Sequence, residues 1–243
     1  MRDYEAETRG RVEFIRETVK NAGAGGIVYG NSGGKDSALV GILCKLACEN
    51  TVAVILPCSS AQNYSTDMQD AIAVAEQFDI SLRTVDLSAV REALIQAVGE
   101  STQLGDTAAA NIAPRLRMMT LYAIAASENR LVAGTGNRSE AHMGYFTKWG
   151  DGAHDFNPIA DLTVTEIYEF LRYLNAPMAV ITKVPSAGLF NGQTDESEMG
   201  ITYRAIDEFL LQGKASEADR AIIDRYHAAS EHKRRPILTY SGE

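Results

Sequence analysis

The 243-residue sequence predicts an α/β fold, a doubly wound parallel sheet flanked by helices, with further helices at the C-terminus. Three observations predict it. Short, continuously apolar, β-rich runs recur along the first half of the chain, segments of helical period separate them, and glycines mark the junctions. Strands that are apolar throughout are covered on both faces, and right-handed crossovers through the intervening helices wind such a sheet in both directions.

Val12, Ile15 and Val19 recur at helical spacing, so the first twenty residues read as an amphipathic helix. "GGIVYG" is the first strand, Asp36 to about Cys48 the next helix, and "TVAVILP" (Thr51 to Pro57) the second strand. Tyr64 to Phe78 reads as helix and "SLRTVDL" as the third strand. Helices follow at Ser88 to Val98 and about Thr107 to Asn129, then "RLVAGTG" as the fourth strand. Arg138 to Pro158 is rich in glycine, charge and aromatics without a period, and a loop of that length is usually functional. In "LTVTEIYEFLRYL" the pattern returns to helix, with Thr163 and Glu166 spaced as a capping box. Val184 to Gly200 is irregular, with Ala187 to Gly200 a candidate lid. Two helices close the chain, roughly Ile201 to Leu211 and Ala215 to Ser230.

Apolar residues make up 45% and charged residues 23%, an ordinary globular balance, and no repeat or linker divides the chain; residues 1–243 read as one domain. The first twenty residues lack the apolar core of a secretory signal, and no run is long enough to cross a bilayer. A cytoplasmic location without membrane association is expected. Cys44, Cys48 and Cys58 are too few and too oddly placed for a disulfide framework or a zinc site. A net charge of -9 argues against nucleic acid as a partner but leaves room for anionic small ligands held by a few cations and backbone amides.

The stretch "YGNSGGKDSAL", Tyr29 to Leu39, lies between a strand and a helix and fits neither standard nucleotide motif. Tyr29 replaces the first glycine of a Walker loop and Asp36 its hydroxyl, while Ser139 interrupts the dinucleotide fingerprint begun by Gly134 and Gly136. What remains is a junction whose amides, at the positive end of a helix dipole, suit an anion. Asp36 would repel phosphate unless a cation such as Mg²⁺ lay between. The plainer alternative is a tight turn with Asp36 capping the helix.

"SGGKDS" resembles the pyrophosphate loop of the N-type ATP pyrophosphatases. "NIAPRLRMMTLYAIA", "GTGNRSEAHMGYFTKWGDGAHDFNPIADL", "VPSAGLFNGQTDESEMGITY" and "SEHKR" then resemble the ammonia-dependent NAD synthetase family, covering Gly30 to Arg234. The resemblance implies an enzyme that adenylates deamido-NAD with ATP, releases pyrophosphate, and lets ammonia displace AMP to give NAD. It implies that Gly30, Asn31, Ser32, Gly33, Gly34, Lys35, Asp36 and Ser37 hold ATP, with Thr135 and Ser186 as further ATP contacts. Asp36 and Glu140 would bind Mg²⁺, with Lys35 and Asp36 acting in catalysis. Arg115, Lys148, Asp155, His232 and Lys233 would bind deamido-NAD.

Four of these have a plainer reading. Glu140 could be a solvated loop charge, Arg115 a surface ion pair, and His232 and Lys233 a basic helix end. The family's glutamine-dependent members carry a separate domain with a cysteine nucleophile, not visible here, so free ammonia is the expected nitrogen source. A homodimer is expected by the same resemblance. One departure matters: many relatives have a phosphate-binding lysine where this chain has Val164, and Lys35 is expected to supply that charge. Two rival readings are another ATP pyrophosphatase with a different acceptor and a nucleotide-binding regulatory protein without turnover.

Overall fold

The computed structural model describes residues 2–58, 66–183 and 194–241. Four parallel strands, β1 (Gly26–Gly30), β2 (Thr51–Ile55), β3 (Ser81–Thr84) and β4 (Arg130–Val132), form one sheet in the order β3-β2-β1-β4. The chain winds outward through β2 and β3, then returns to the other side of β1, which is the doubly wound topology expected. Register pairs Val28 with Val52 on one side and with Val132 on the other.

The helices up to β4 are α1 (Tyr4–Asn21), α2 (Lys35–Ala47), α3 (Thr66–Gln77), α4 (Ser88–Gly99), α5 (Asp106–Ala110) and α6 (Ile112–Glu128). After β4 come α7 (Arg138–Met143), α8 (Val164–Tyr173), α9 (Met178–Thr182), α10 (Asp195–Met199), α11 (Tyr203–Gln212), α12 (Glu217–Ala229) and α13 (Glu231–Arg234). The start of the helix expected from Tyr64 and residues 184–193 of the irregular stretch lie outside the described residues.

Side chains of β1 divide between two cores. Ile27 and Tyr29 join Ile15 of α1, Leu39 and Leu43 of α2, and Ile167 and Phe170 of α8 in one cluster. Val28 joins Val52, Val54 and Val132 with Leu116, Leu121 and Ala125 of α6 in the other. Burying each such side chain contributes about 1.5–3 kcal/mol, so both sheet faces are fixed by helices and only the strand ends remain for chemistry. Arg2 and Arg11 tie the N-terminal segment to the start of α8 through Asp161, at 2.9 and 2.7 Å, and Arg2 reaches Glu166 at 2.7 Å.

Three expectations need correction. The long helix from Thr107 breaks at Asn111 into α5 and α6. The stretch from Arg138 is not wholly irregular: Asn137 and Glu140 form a capping box and start α7, which ends at Gly144 with φ 65°. Likewise α10 forms within the second irregular stretch, capped by Thr194. The Thr163–Glu166 capping box is present as expected.

The C-terminal helices form a third cluster against α7, in which Met143, Val164, Met199, Tyr203, Ile206 and Ile223 are buried together. Beside it the His142 and His227 rings stack at 4.2 Å, and His227 Nδ1 lies 2.9 Å from the His142 carbonyl oxygen. Burial, then the charges of His227, Arg234 and Arg138, lower the His142 pKa from 6.5 to about 4, with Asp224 opposing. The unfolded chain therefore binds this proton more readily than the folded one. The stability contributed is complete above about pH 6.5 and is lost as pH falls through about 4. Thermal melts between pH 4 and 7 should show a steeper loss toward acid in the native chain than in His142→Phe; parallel curves would refute this.

Candidate active site

The carboxyl ends of β1 and β4 flank the point where strand order reverses, the place where open α/β sheets bind ligands. A cavity of about 670 Å³ opens there. Its floor is the loop from Asn31 to Gly34, which the buried Asn31 holds in place. Asn31 donates from Nδ2 to the Ala71 carbonyl at 3.0 Å and accepts from the Gly33 amide at 3.2 Å. Ser32 and Ser37 join their hydroxyls at 3.1 Å across the loop. Gly33 has φ +73°, and a Cβ there would lie 2.1 Å from the Asp67 carbonyl oxygen, so the loop is pressed against the start of α3.

Gly34 is the N-cap of α2, and among the described residues no side chain caps that helix. Asp36 therefore does not cap it, which removes the plainer reading of the motif. Side chains thus leave the first-turn amides of a 13-residue helix to an anionic ligand. The Asp36 carboxylate turns instead toward β4's following loop. Its Oδ1 accepts from Asn137 Nδ2 at 3.0 Å and its Oδ2 from Lys35 Nζ at 2.7 Å. The same Asn137 donates its backbone N–H to Glu140 Oε2 at 3.1 Å, so one residue joins the two predicted metal carboxylates. Glu140 is partly buried in the cavity wall and its pKa is raised, first by burial and then by Asp36, with Lys35 opposing. For Lys35 burial works against the charge, but Asp36 and Glu140 outweigh it and the pKa rises.

Thr135 lines the same cavity, beside Gly134 and Gly136, as does Lys233. Lys233 Nζ donates to the Gly144 and Phe146 carbonyls, both at 2.7 Å, and burial lowers its pKa. Arg115, Lys148, Asp155 and His232 do not line this cavity. Three of them meet on a neighbouring surface: Arg115 Nε donates to the Lys148 carbonyl at 3.3 Å, and Lys148 Nζ to that of His232 at 2.8 Å. Asp155 accepts from the Val132 amide at 2.8 Å and from Tyr122 at 3.1 Å. Ser186 and residues 187–193 of the candidate lid lie outside the described residues.

Sequence reasoning missed seven of the charged groups that line the cavity among the described residues, Lys183, Arg117 and Asp195 among them. Lys183 Nζ contacts Asp67 at 2.8 Å and Asp70 at 2.6 Å, and donates to the Gly33 carbonyl at 3.3 Å. Arg117, half-buried on α6, donates to the Leu56 carbonyl at 3.0 Å, and burial lowers its pKa. Asp195, at the start of α10, accepts from Tyr203 Oη at 3.0 Å and is buried. Among the described residues seven carboxylates line the cavity against four cations, a balance that disfavours a polyanionic ligand unless a further cation enters with it.

Among the described residues no three His, Cys, Asp or Glu groups converge as a metal cage. Two hard oxygen donors are the protein share that Mg²⁺ takes, since that ion keeps waters and phosphates as its other ligands; Asp36 and Glu140, from the first turns of α2 and α7, fit it.

An uncapped helix start, a glycine loop and paired acids at the switch point of a doubly wound sheet define a nucleotide-binding α/β enzyme. A family model described as NAD synthase matches residues 7–237, and the chain belongs to that family. It is 46% identical to the NH(3)-dependent NAD(+) synthetase of Carboxydothermus hydrogenoformans over 236 residues, 96% of each chain. To that of Archaeoglobus fulgidus it is 45% identical over 200 residues, 82% of this chain and 79% of the relative. Among solved structures, an NMN synthetase from Francisella tularensis superposes with a TM-score of 0.94 at 39% identity, covering 100% of both chains. An NH3-dependent NAD synthetase from Campylobacter jejuni gives 0.80 at 32%, covering 99% of this chain and 100% of that one.

Proposed function

We propose that the cavity at the β1 and β4 ends is the active site, with Gly30 to Ser37 and Thr135 receiving ATP and Lys233 reaching the second substrate. The chain is a carbon–nitrogen ligase that amidates deamido-NAD to NAD with ammonia, using ATP as co-substrate. The observation that carries the site assignment is the joining of Asp36 and Glu140 by Asn137 directly above an uncapped helix start.

An oxygen of the nicotinate carboxylate attacks the α-phosphorus of ATP, and the bond to the bridging oxygen breaks to release pyrophosphate. Ammonia then adds to the acyl carbon, a proton is lost, and AMP departs with the C–O electron pair. Neither step needs a side-chain nucleophile, so the residues act by positioning and charge. The Asn31-braced loop sets the first turn of α2, whose N–H groups face the departing pyrophosphate. Mg²⁺ held by Asp36 and Glu140 would screen the phosphate charges. Ser186 is retained as an ATP contact on resemblance alone.

Arg115, Lys148, Asp155 and His232 are assigned to the part of deamido-NAD outside the cavity. Their surface also carries the exposed Met119 and Trp149, at 62% and 57%, which supports a homodimer that covers them. A single synthetase domain, free ammonia as donor and a cytoplasmic location complete the reading; no described helix is long and apolar enough to cross a membrane.

The test is one assay: protein, ATP, Mg²⁺, ammonium and deamido-NAD, following AMP and NAD. AMP without NAD would indicate a different acceptor, and neither product a binding protein. A second acceptor is favoured by one observation, the superposition on an NMN synthetase at 0.94 against 0.80 for the Campylobacter enzyme. Nicotinate mononucleotide belongs in the same assay, and a higher kcat/KM for it would move the assignment to the shorter substrate.

Lys35 Nζ lies 5.6 Å from the ring centre of Tyr203, which is buried in the same cluster as Val164. That proximity supports Lys35 as the replacement for the cation absent at Val164. Lys35→Ala is expected to weaken ATP binding about tenfold, one charge-assisted contact, and adding Val164→Lys should restore part of it. A double variant no better than Lys35→Ala would end the exchange idea.

A further inference from the structure

Lys35 is the first residue of α2, and its side chain is only 6% exposed. A buried ammonium at the positive end of a helix opposes the dipole and loses its hydration, so fold stability alone gives no reason for it. Its position supplies the reason. In the cavity wall the ammonium is held on Asp36 Oδ2 at 2.7 Å, with the Tyr203 ring centre 5.6 Å away. Glu140 acts on it through space as a second carboxylate, and Asn137 fixes both acids by hydrogen bonds to Asp36 Oδ1 and Glu140 Oε2. The Asp36 oxygen occupied by Lys35 is one that a bound divalent cation would use.

We infer that Lys35 is the internal counter-ion of the Asp36–Glu140 pair in the nucleotide-free enzyme, and that an entering divalent cation displaces its ammonium toward the ATP phosphates. This rests on the assignment of that pair as the divalent-cation site. Metal alone meets a pair of acids whose charge a tethered cation already halves, and ATP alone meets a lysine already committed to Asp36. Together, the metal takes the carboxylates and the freed lysine takes a phosphate. Each ligand then strengthens the other, by the same factor in both directions. The enzyme thereby keeps its acids from holding metal unproductively before ATP arrives.

The test uses Mn²⁺ as a paramagnetic probe, titrated against the full chain with and without α,β-methylene-ATP, which cannot be cleaved at the reacting bond. Without nucleotide, Lys35→Met is expected to bind Mn²⁺ at least about tenfold more tightly than the native chain. The analogue should tighten Mn²⁺ binding roughly 100-fold in the native chain and far less in Lys35→Met. Lys35→Arg should keep the native pattern, and Lys35→Gln replaces Lys35→Met if the latter does not fold. Equal Mn²⁺ affinity of Lys35→Met and native chain without nucleotide overturns the inference. If Asp36→Asn then still abolishes Mn²⁺ binding in the presence of the analogue, the metal assignment stands and only the counter-ion role falls. If Asp36→Asn changes nothing, both fall.

Discussion

Glu140→Gln is expected to lower kcat by about 10²–10³-fold while raising the melting temperature. Loss of one preorganised charge that acts on transferring phosphoryl groups typically has that effect on rate. The stability gain follows from burial. The Glu140 carboxyl is raised above its ordinary value of 4.5, first by burial and then by Asp36. The folded state therefore holds this proton more tightly than the unfolded chain does. The stability linked to it is present below about pH 4.5 and is lost as pH rises through the raised folded value, so at pH 7 the carboxyl is a net cost.

Glutamine removes that cost and keeps the cap, since its amide oxygen can still accept from the Asn137 N–H, now at 3.1 Å from the carboxylate. Lys35 loses one of its two acids, which limits the gain to about 1 kcal/mol, or roughly 2–4 °C for a chain of this size. Turnover of ATP and deamido-NAD, with a melt in the same buffer, checks both halves. A variant that turns over within threefold of native, or that melts lower, would show that Glu140 is a structural acid.

The sheet was legible in the sequence because its central strands are apolar on both faces, which only a parallel sheet between helices satisfies. The phosphate loop was legible because a glycine pair at a strand–helix junction is a local signal. Helix boundaries were less so, although signals existed. Pro114 in the first turn of α6 marks a helix start, and Asn137 three residues before Glu140 marks α7. Both were hidden by the stronger texture around them, an extended helical period in one case and a glycine-rich stretch in the other.

Lys183, Arg117 and Asp195 had no local signal. Lys183 becomes a cavity residue because it meets Asp67 and Asp70, more than a hundred positions earlier in the chain, and such pairing exists only in the fold. The separation of Arg115, Lys148 and His232 from the cavity is of the same kind. A motif places residues in order along the chain but not on one wall of a site.

Gly33→Ala carries the other large expected effect, and its neighbour supplies the control. At φ +73° an L-residue pays about 1–2 kcal/mol, and the new Cβ would lie 2.1 Å from a backbone oxygen, that of Asp67, which no rotamer change can relieve. Overlap of that kind adds about 1–3 kcal/mol unless the loop lifts away from α3. Lifting would move the Gly33 amide off Asn31 Oδ1, at 3.2 Å, and its carbonyl off Lys183, at 3.3 Å, so the strain is relieved only by disordering the phosphate cradle. The result should appear chiefly as a KM for ATP raised at least about tenfold, with a modest fall in melting temperature. Gly34→Ala has no such conflict. Gly34 sits at φ -92°, and an added Cβ would meet only the Ser32 hydroxyl, at 3.3 Å, which can rotate. Its KM should stay within about threefold of native, less than 1 kcal/mol. If both alanines raise the KM equally, the amides of the loop matter less than its overall shape. The uncapped start of α2 would then have to hold the phosphates alone.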